Sequence, residues 1–141
     1  MAARKPQASA ARAVVDAAGR ADRKALATLA RSGADLNASW RGYRPLHALI
    51  QEDPHAEGAS APAERLPALV WLLEHGADPN LPDERGWTAL HQAASRGNER
   101  RMRALLAAGG DRARKDANGH TPLAIAVLAR KARMVELFGL A

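Results

Sequence analysis

The side chains with the chemistry for an active site are few and scattered in this chain. Cysteine is absent, which excludes disulfides and thiolate metal sites. His47, His75, His91 and His120 are spread along the sequence, and none forms the close i, i+4 pair that a helix uses to hold zinc. No G-x-x-x-x-G-K-[ST], H-E-x-x-H or G-x-S-x-G pattern occurs, and Gly58-Ala59-Ser60 lacks the surroundings of a nucleophile. The expectation is no catalytic residue, no metal and no cofactor. A different chemistry is better represented. Trp40, Arg41, Tyr43, Arg85 and Trp87 are of the residue types that concentrate binding energy at protein interfaces.

The elements that must position these residues repeat. Residues 33–47 read GADLNASWRGYRPLH, residues 76–91 read GADPNLPDERGWTALH, and residues 109–123 read GGDRARKDANGHTPL. The later two copies are offset by 33 residues, Gly76 to Gly109 and Gly86 to Gly119. A fixed period of that length marks a solenoid of stacked units. Such a protein works through its surface. Asp35, Asp78 and Asp111 each lie two residues after a helix-ending Gly, with Asn37 and Asn80 two positions further on. These groups read as turn-stabilising.

The copy Asp83 to Asn98 resembles the ankyrin-repeat pattern, with Gly86, Thr88, Leu90, His91, Ala93, Ala94 and Gly97 in register. The outer-helix ending appears as Leu72-Leu73-Glu74-His75-Gly76-Ala77-Asp78-Pro79-Asn80. The resemblance covers about residues 12 to 141. It implies an all-α solenoid of four helix-turn-helix modules joined by β-hairpin-like loops, the first and last acting as caps. One repeat domain, 1–141, then divides into modules 8–38, 39–82, 83–115 and 116–141. Helices are expected at 8–18 and 22–32 in the first module. The resemblance also implies that His47 and His91 are structural, each bonding to backbone near the hairpins.

The modules differ where function would leave its mark. Gly42 to Gly76 spans 34 residues, Gly86 to Gly109 only 23, and the excess falls in 52–64. That stretch is rich in Pro, Gly, Ser and acids and reads as an extended loop, either a tolerated insertion or a binding loop. Arg44 stands where Thr is usual, which removes a helix cap. Ala124 stands where His is usual. After each hairpin Gly come Tyr43, Trp87 and His120, an aromatic column that either stiffens the hairpins or meets a partner. By position in the family, partner contacts fall on Trp40, Arg41, Tyr43, Gln51, Glu52, Glu84, Arg85, Trp87, Ser95, Arg96, Asn118 and His120. Leu128 and Ala129 are the matching inner-helix positions of the last module, and Trp71 is assigned to packing on an outer helix.

Charge is segregated. Residues 1–50 carry 9 basic and 3 acidic groups, residues 51–84 carry 1 and 8, and residues 85–141 carry 11 and 4. The pattern serves either salt bridging between modules or steering of a partner. Arg100, Arg101 and Arg103 read as a solvated face. With Arg112, Arg114 and Lys115 they would be the phosphate contacts of a nucleic-acid-binding alternative. No nucleic-acid motif accompanies them.

The N-terminal stretch has no apolar core of signal-peptide length, and no apolar run reaches the ~18 residues of a membrane span. A soluble, cytoplasmic, monomeric protein is expected. Alanine makes up about a quarter of the chain, well above ordinary usage. With the Arg content it suggests a GC-rich bacterial genome. The function expected is non-catalytic docking of a protein on the concave face, as an inhibitor, immunity protein or adaptor. A toxin or enzyme encoded nearby is a candidate partner. The alternatives are a secreted bacterial effector and, less favoured, the nucleic-acid binder.

Overall fold

In the computed structural model the chain is described over residues 6–50 and 62–139. These residues form eight helices in four consecutive pairs: α1 Pro6–Gly19 with α2 Arg23–Arg31, α3 Pro45–Ile50 with α4 Pro62–Glu74, α5 Ala89–Arg96 with α6 Glu99–Ala107, and α7 Pro122–Leu128 with α8 Ala132–Gly139. The all-helical repeat architecture expected from the sequence is present. The chain divides into two compact units, Met1–Ala77 and Asp78–Ala141. No helix among the described residues is long and apolar enough to cross a membrane.

In the first unit α1 packs on α2 and α3, and α3 on α4. Ala11, Ala17 and Ala18 of α1 are buried, and their small size lets helices approach closely. Val14, Leu26, Leu46, Leu49, Ile50, Leu69 and Leu72 fill the core. The Asp22 carboxylate accepts the Ala25 N–H at 3.1 Å and so caps α2. Gly33, at φ +86°, turns the chain out of α2, while the Ala34 N–H returns to the Leu29 carbonyl at 3.0 Å.

Arg65 is the one basic residue in 51–84, and it is buried. Its guanidinium donates to the Leu49 carbonyl at 2.7 Å and to the Gly19 carbonyl at 3.0 Å. Both acceptors lie at helix C-termini, where carbonyls lack intrahelical donors and a positive charge is favoured. One side chain of α4 thereby ties down the ends of α1 and α3. The loop expected over 52–64 gives way to helix at Pro62, because α4 extends back to include Arg65 in its first turn; the rest of that stretch lies outside the described residues.

In the second unit α5 packs on α6 and α7, and α8 covers α6 and α7. Leu90, Ala93, Ala94, Met102, Leu105, Ile125, Ala126, Met134 and Phe138 form the core. Asn98 caps α6 through its side-chain oxygen on the Arg101 N–H at 3.0 Å. Thr121 caps α7 through its hydroxyl on the Ala124 N–H at 3.2 Å, and Pro122 follows in the first turn. The arginine face is only partly solvated: Arg100 and Arg103 are exposed, but Arg101 is 3% exposed. Its place beside Met102 and Leu105 on the buried side of α6 explains the difference.

Candidate functional site

The loops that precede the inner helices α3, α5 and α7 are built by two different devices. In the second unit each loop is wound around an aspartate. Asp83 Oδ1 accepts the N–H groups of Arg85 at 2.9 Å and Trp87 at 3.0 Å. Asp116 Oδ1 accepts those of Asn118 at 2.9 Å and His120 at 2.8 Å. The backbone closes the same turns from Asp83 N to the Trp87 carbonyl and from Asp116 N to the His120 carbonyl, each at 2.8 Å. The two loops also meet, Ala117 N–H donating to the Arg85 carbonyl at 3.2 Å. A Cβ on Gly86 would stand 2.7 Å from the Ala117 nitrogen, and φ there is +78°. Glycine is therefore required twice over at that position.

In the first unit Ser39 stands where Asp83 and Asp116 stand in the others. Trp40 and Tyr43 pair instead through two backbone hydrogen bonds, 2.8 and 2.9 Å, across Arg41 and Gly42. Both central residues have positive φ, +51° and +81°, which is the backbone of a type I′ turn. Arg41 thus sits in a left-handed conformation that glycine or asparagine would adopt at lower cost. Its guanidinium lies 5.9 Å from the Trp40 ring. The Arg44 side chain, lacking the hydroxyl of threonine, donates to the Asn37 carbonyl at 2.7 Å.

Trp87 is held from several directions. Its indole N–H donates to Asp116 Oδ2 at 2.9 Å. The Arg85 guanidinium lies 4.1 Å from its ring and is itself bonded to Asp83 at 3.0 and 3.3 Å. The His91 imidazole stacks at 6.4 Å and 19°. His91 is fully buried. Its Nδ1 accepts the Thr88 backbone N–H at 3.1 Å and faces the Thr88 hydroxyl at 2.9 Å. Nε2 therefore carries the proton and donates to the His120 carbonyl at 2.8 Å. Burial pushes the His91 pKa below its ordinary value, against the pull of the His120 carbonyl and the Asp116 and Asp83 carboxylates. Burial pushes the other way on Asp116, but the His120 and Asn118 N–H groups, the Trp87 indole and the nearby His120 outweigh it. The Asp116 carboxyl is held below its ordinary range.

Trp87 and His120 are brought together at the Asp116 carboxylate, with His120 Nδ1 3.8 Å from Oδ2. Tyr43 belongs to the other unit and is exposed. Arg41, Glu84, Arg85, Arg96 and Asn118 are exposed; Trp40, Trp87, Ser95 and His120 are half-buried. Gln51 and Glu52 lie outside the described residues. The turn aspartates behave as their positions suggest: Asp35 accepts the Asn37 N–H at 2.9 Å, Asp78 the Asn80 N–H at 2.8 Å and Asp111 the Ala113 N–H at 2.9 Å. The Asn37 and Asn80 amides reach the carbonyls of Gly76 and Gly109 at 3.1 and 3.0 Å. Trp71 is half-buried and stacks on His75 at 3.9 Å. No group of three or more His, Asp or Glu among the described residues is placed to hold a metal.

Sequence reasoning missed the buried Arg65 and the exposure of Leu123 and Val127 on α7. Leu123 occupies a position that reads as core, since its counterpart Leu90 is fully buried. The apolar run from Leu123 to Leu128, with no charge in it, was the available signal.

The family model for ankyrin repeats (three copies) matches residues 58–139. Among curated proteins, the chain is 34% identical over 111 residues to human Rabankyrin-5, covering 77% of this chain and 10% of that protein. It is 48% identical over 61 residues to chicken inversin, covering 43% of this chain and 6% of inversin. It is 32% identical over 80 residues to the putative ankyrin repeat protein L271 of Acanthamoeba polyphaga mimivirus, covering 57% of this chain and 11% of that protein. The chain thus spans a small part of the length of the curated relatives it matches. The aspartate-wound loops, the Thr88–His91 cap and the paired helices are the structural form of the matched repeats, and the chain belongs to the ankyrin-repeat family.

Proposed function

We propose that this chain is a non-catalytic docking module, which binds a protein partner through its loop tips and inner-helix ends and acts by covering or tethering that partner. An inhibitor, immunity or adaptor role fits this action. The observation that carries the reading is the division of labour within the loops. Asp83, Thr88, His91 and Asp116, each repeated in a second copy, are buried in hydrogen bonds. The hairpin-tip side chains Arg41, Tyr43, Glu84 and Asn118 are exposed. Within each unit, a loop held in this way loses little conformational entropy on binding. Arg41 adds a specific reason, because a strained non-glycine residue at a loop tip is a mark of a functional position.

Trp87 contributes its half-exposed surface, but its indole N–H is bonded to Asp116 and its ring contacts Arg85 and His91. Its removal would disturb folding and binding together. The discriminating variant leaves it in place. Arg41→Glu, Tyr43→Ala and Glu84→Arg, combined in one chain, change only exposed side chains. Affinity capture from host lysate with mass spectrometry should recover one protein in stoichiometric amount with the wild type and lose it with the triple variant, at unchanged helicity. Equal recovery by both chains would remove these residues from the site. A nucleic-acid reading has less support, because Arg101 of the proposed phosphate contacts is buried.

A further inference from the structure

The hairpin Gly of each loop sets a common register. Arg41, Arg85 and Asn118 directly precede Gly42, Gly86 and Gly119, and Ser39, Asp83 and Asp116 stand two positions before those. Two copies therefore carry an arginine at the same place. In the second unit that arginine is satisfied within its own loop. Arg85 donates from Nε and Nη2 to Asp83 Oδ2 at 3.3 and 3.0 Å, and its guanidinium lies 4.1 Å from the Trp87 ring. The guanidinium thus has an aromatic face behind it and a carboxylate on its edge.

The first unit has these parts except the carboxylate. Arg41 is exposed, with its guanidinium 5.9 Å from the Trp40 ring. Ser39 offers a hydroxyl at the position where Asp83 offers its carboxylate, and no Asp or Glu occurs between Asp35 and Glu52. Asp35 is turned to its own backbone, accepting the Asn37 N–H at 2.9 Å. Among the described residues no carboxylate lies within ion-pair distance of Arg41. The other cation of the loop, Arg44, is half-buried and directed to the Asn37 carbonyl at 2.7 Å. The exposed charge of this tip is that of Arg41. The paired backbones of Trp40 and Tyr43 fix the turn from which it projects. Arg41 also occupies φ +51°, where glycine or asparagine would cost less. A strained residue that presents its charge with no internal counterpart points to a group outside the chain.

We propose that the Trp40–Tyr43 turn recognises an Asp or Glu carboxylate of the docked protein, which meets Arg41 as Asp83 meets Arg85. The inference rests on the reading of the chain as a protein-docking module and supplies the chemistry of one contact. The carboxylate accepts from the guanidinium edge while the Trp40 ring backs the guanidinium. Tyr43, 37% exposed, adds a hydroxyl donor on the same turn. The contact is attractive at long range and screened by salt.

The test uses the full chain, isotope-labelled for NMR, and a blocked peptide of alternating Ser and Glu, beside the same peptide with Gln for each Glu. The Glu peptide should shift the Trp40 indole and the Arg41 to Tyr43 amides saturably, less so at high salt, and leave the Trp87 indole in place. The Gln peptide should shift none of them. Arg41→Lys keeps the charge but loses the fork, and should weaken binding by about threefold or more. Ser39→Asp gives the loop its own carboxylate and should weaken binding at least as much, at unchanged helicity. Arg31→Gln removes an exposed cation elsewhere in the unit and should leave binding as it was. No saturable shift, equal shifts with both peptides, full binding by Arg41→Lys or Ser39→Asp, or an equal loss in Arg31→Gln overturns the proposal. So does inorganic phosphate that shifts the same signals at lower concentration than the peptide, which would give the turn to a phosphate. Affinity capture separates this contact from the docking function. A partner lost by the Arg41/Tyr43/Glu84 variant but kept by Arg41→Lys and Ser39→Asp leaves docking standing and removes the carboxylate. A partner kept by all three removes the loop-tip reading, and this contact with it.

Discussion

His91 carries three structural contacts on one imidazole: it caps α5 through the Thr88 N–H, joins the next loop through the His120 carbonyl, and stacks on Trp87. The first of these requires a neutral ring, which then carries its proton on Nε2 and donates it to the His120 carbonyl. A second proton on Nδ1 would face the Thr88 N–H, donor against donor. Burial accordingly holds the folded pKa below the ordinary 6.5. Below that ordinary value the unfolded chain takes up a proton that the folded chain refuses, so stability is full above it and falls as pH decreases. Asp116 acts in the same direction at lower pH, since its depressed pKa gives stability that is lost as pH falls through the carboxylate range. Thermal melts should show Tm declining from about pH 7 to about pH 5. His91→Gln, which keeps an acceptor at the third helical position but does not titrate, should flatten that decline. An unchanged slope would contradict the assignment. Arg41 gives a second prediction of opposite sign. Arg41→Asn suits the type I′ turn and should stabilise the first unit by about 0.5–1 kcal/mol, seen as a higher urea midpoint at unchanged slope. A loss of stability would show that the Arg41 contacts outweigh its strain.

At the scale of the elements, what reads directly from sequence is what local chemistry dictates. Asp83 and Asp116 announce their loops, Thr88 and Thr121 their helices, and Gly33 and Gly97 the helix ends, because each acts on backbone a few residues away. What does not read is action at a distance. Arg65 lies next to the inserted stretch, and only the fold shows its guanidinium between carbonyls of α1 and α3. Arg101 was indistinguishable from its neighbours until α6 was oriented. The type I′ turn at Trp40–Tyr43 replaces the aspartate-wound loop because Ser39 stands where Asp83 and Asp116 stand in the other copies. Arg65→Ala leaves the Leu49 and Gly19 carbonyls without their charged donor, and should cost about 2–3 kcal/mol. Chemical denaturation measures this, and a loss below half that figure would mean water replaces the guanidinium. Arg65→Lys should recover only part, since a single ammonium lacks the fork that reaches both acceptors.

At the scale of the whole molecule, the repeat is a device for holding variable side chains on a fixed frame. The family was legible because its signature is written three times. Exposure was not legible: Trp87 is half-buried and bonded to the scaffold, Arg41 and Glu84 are exposed, and Leu123 and Val127 are exposed where their counterparts Leu90 and Ala94 are buried. The central claim is that the partner meets the loop tips and inner helices, not the outer ones. Hydrogen–deuterium exchange of the chain alone and with its captured partner tests this most directly. Added protection should map to Trp40–Tyr43, Glu84–Trp87, Ala117–His120 and the exposed end of α7, with α4 and α6 unchanged. Protection confined to α4 and α6 would contradict the account.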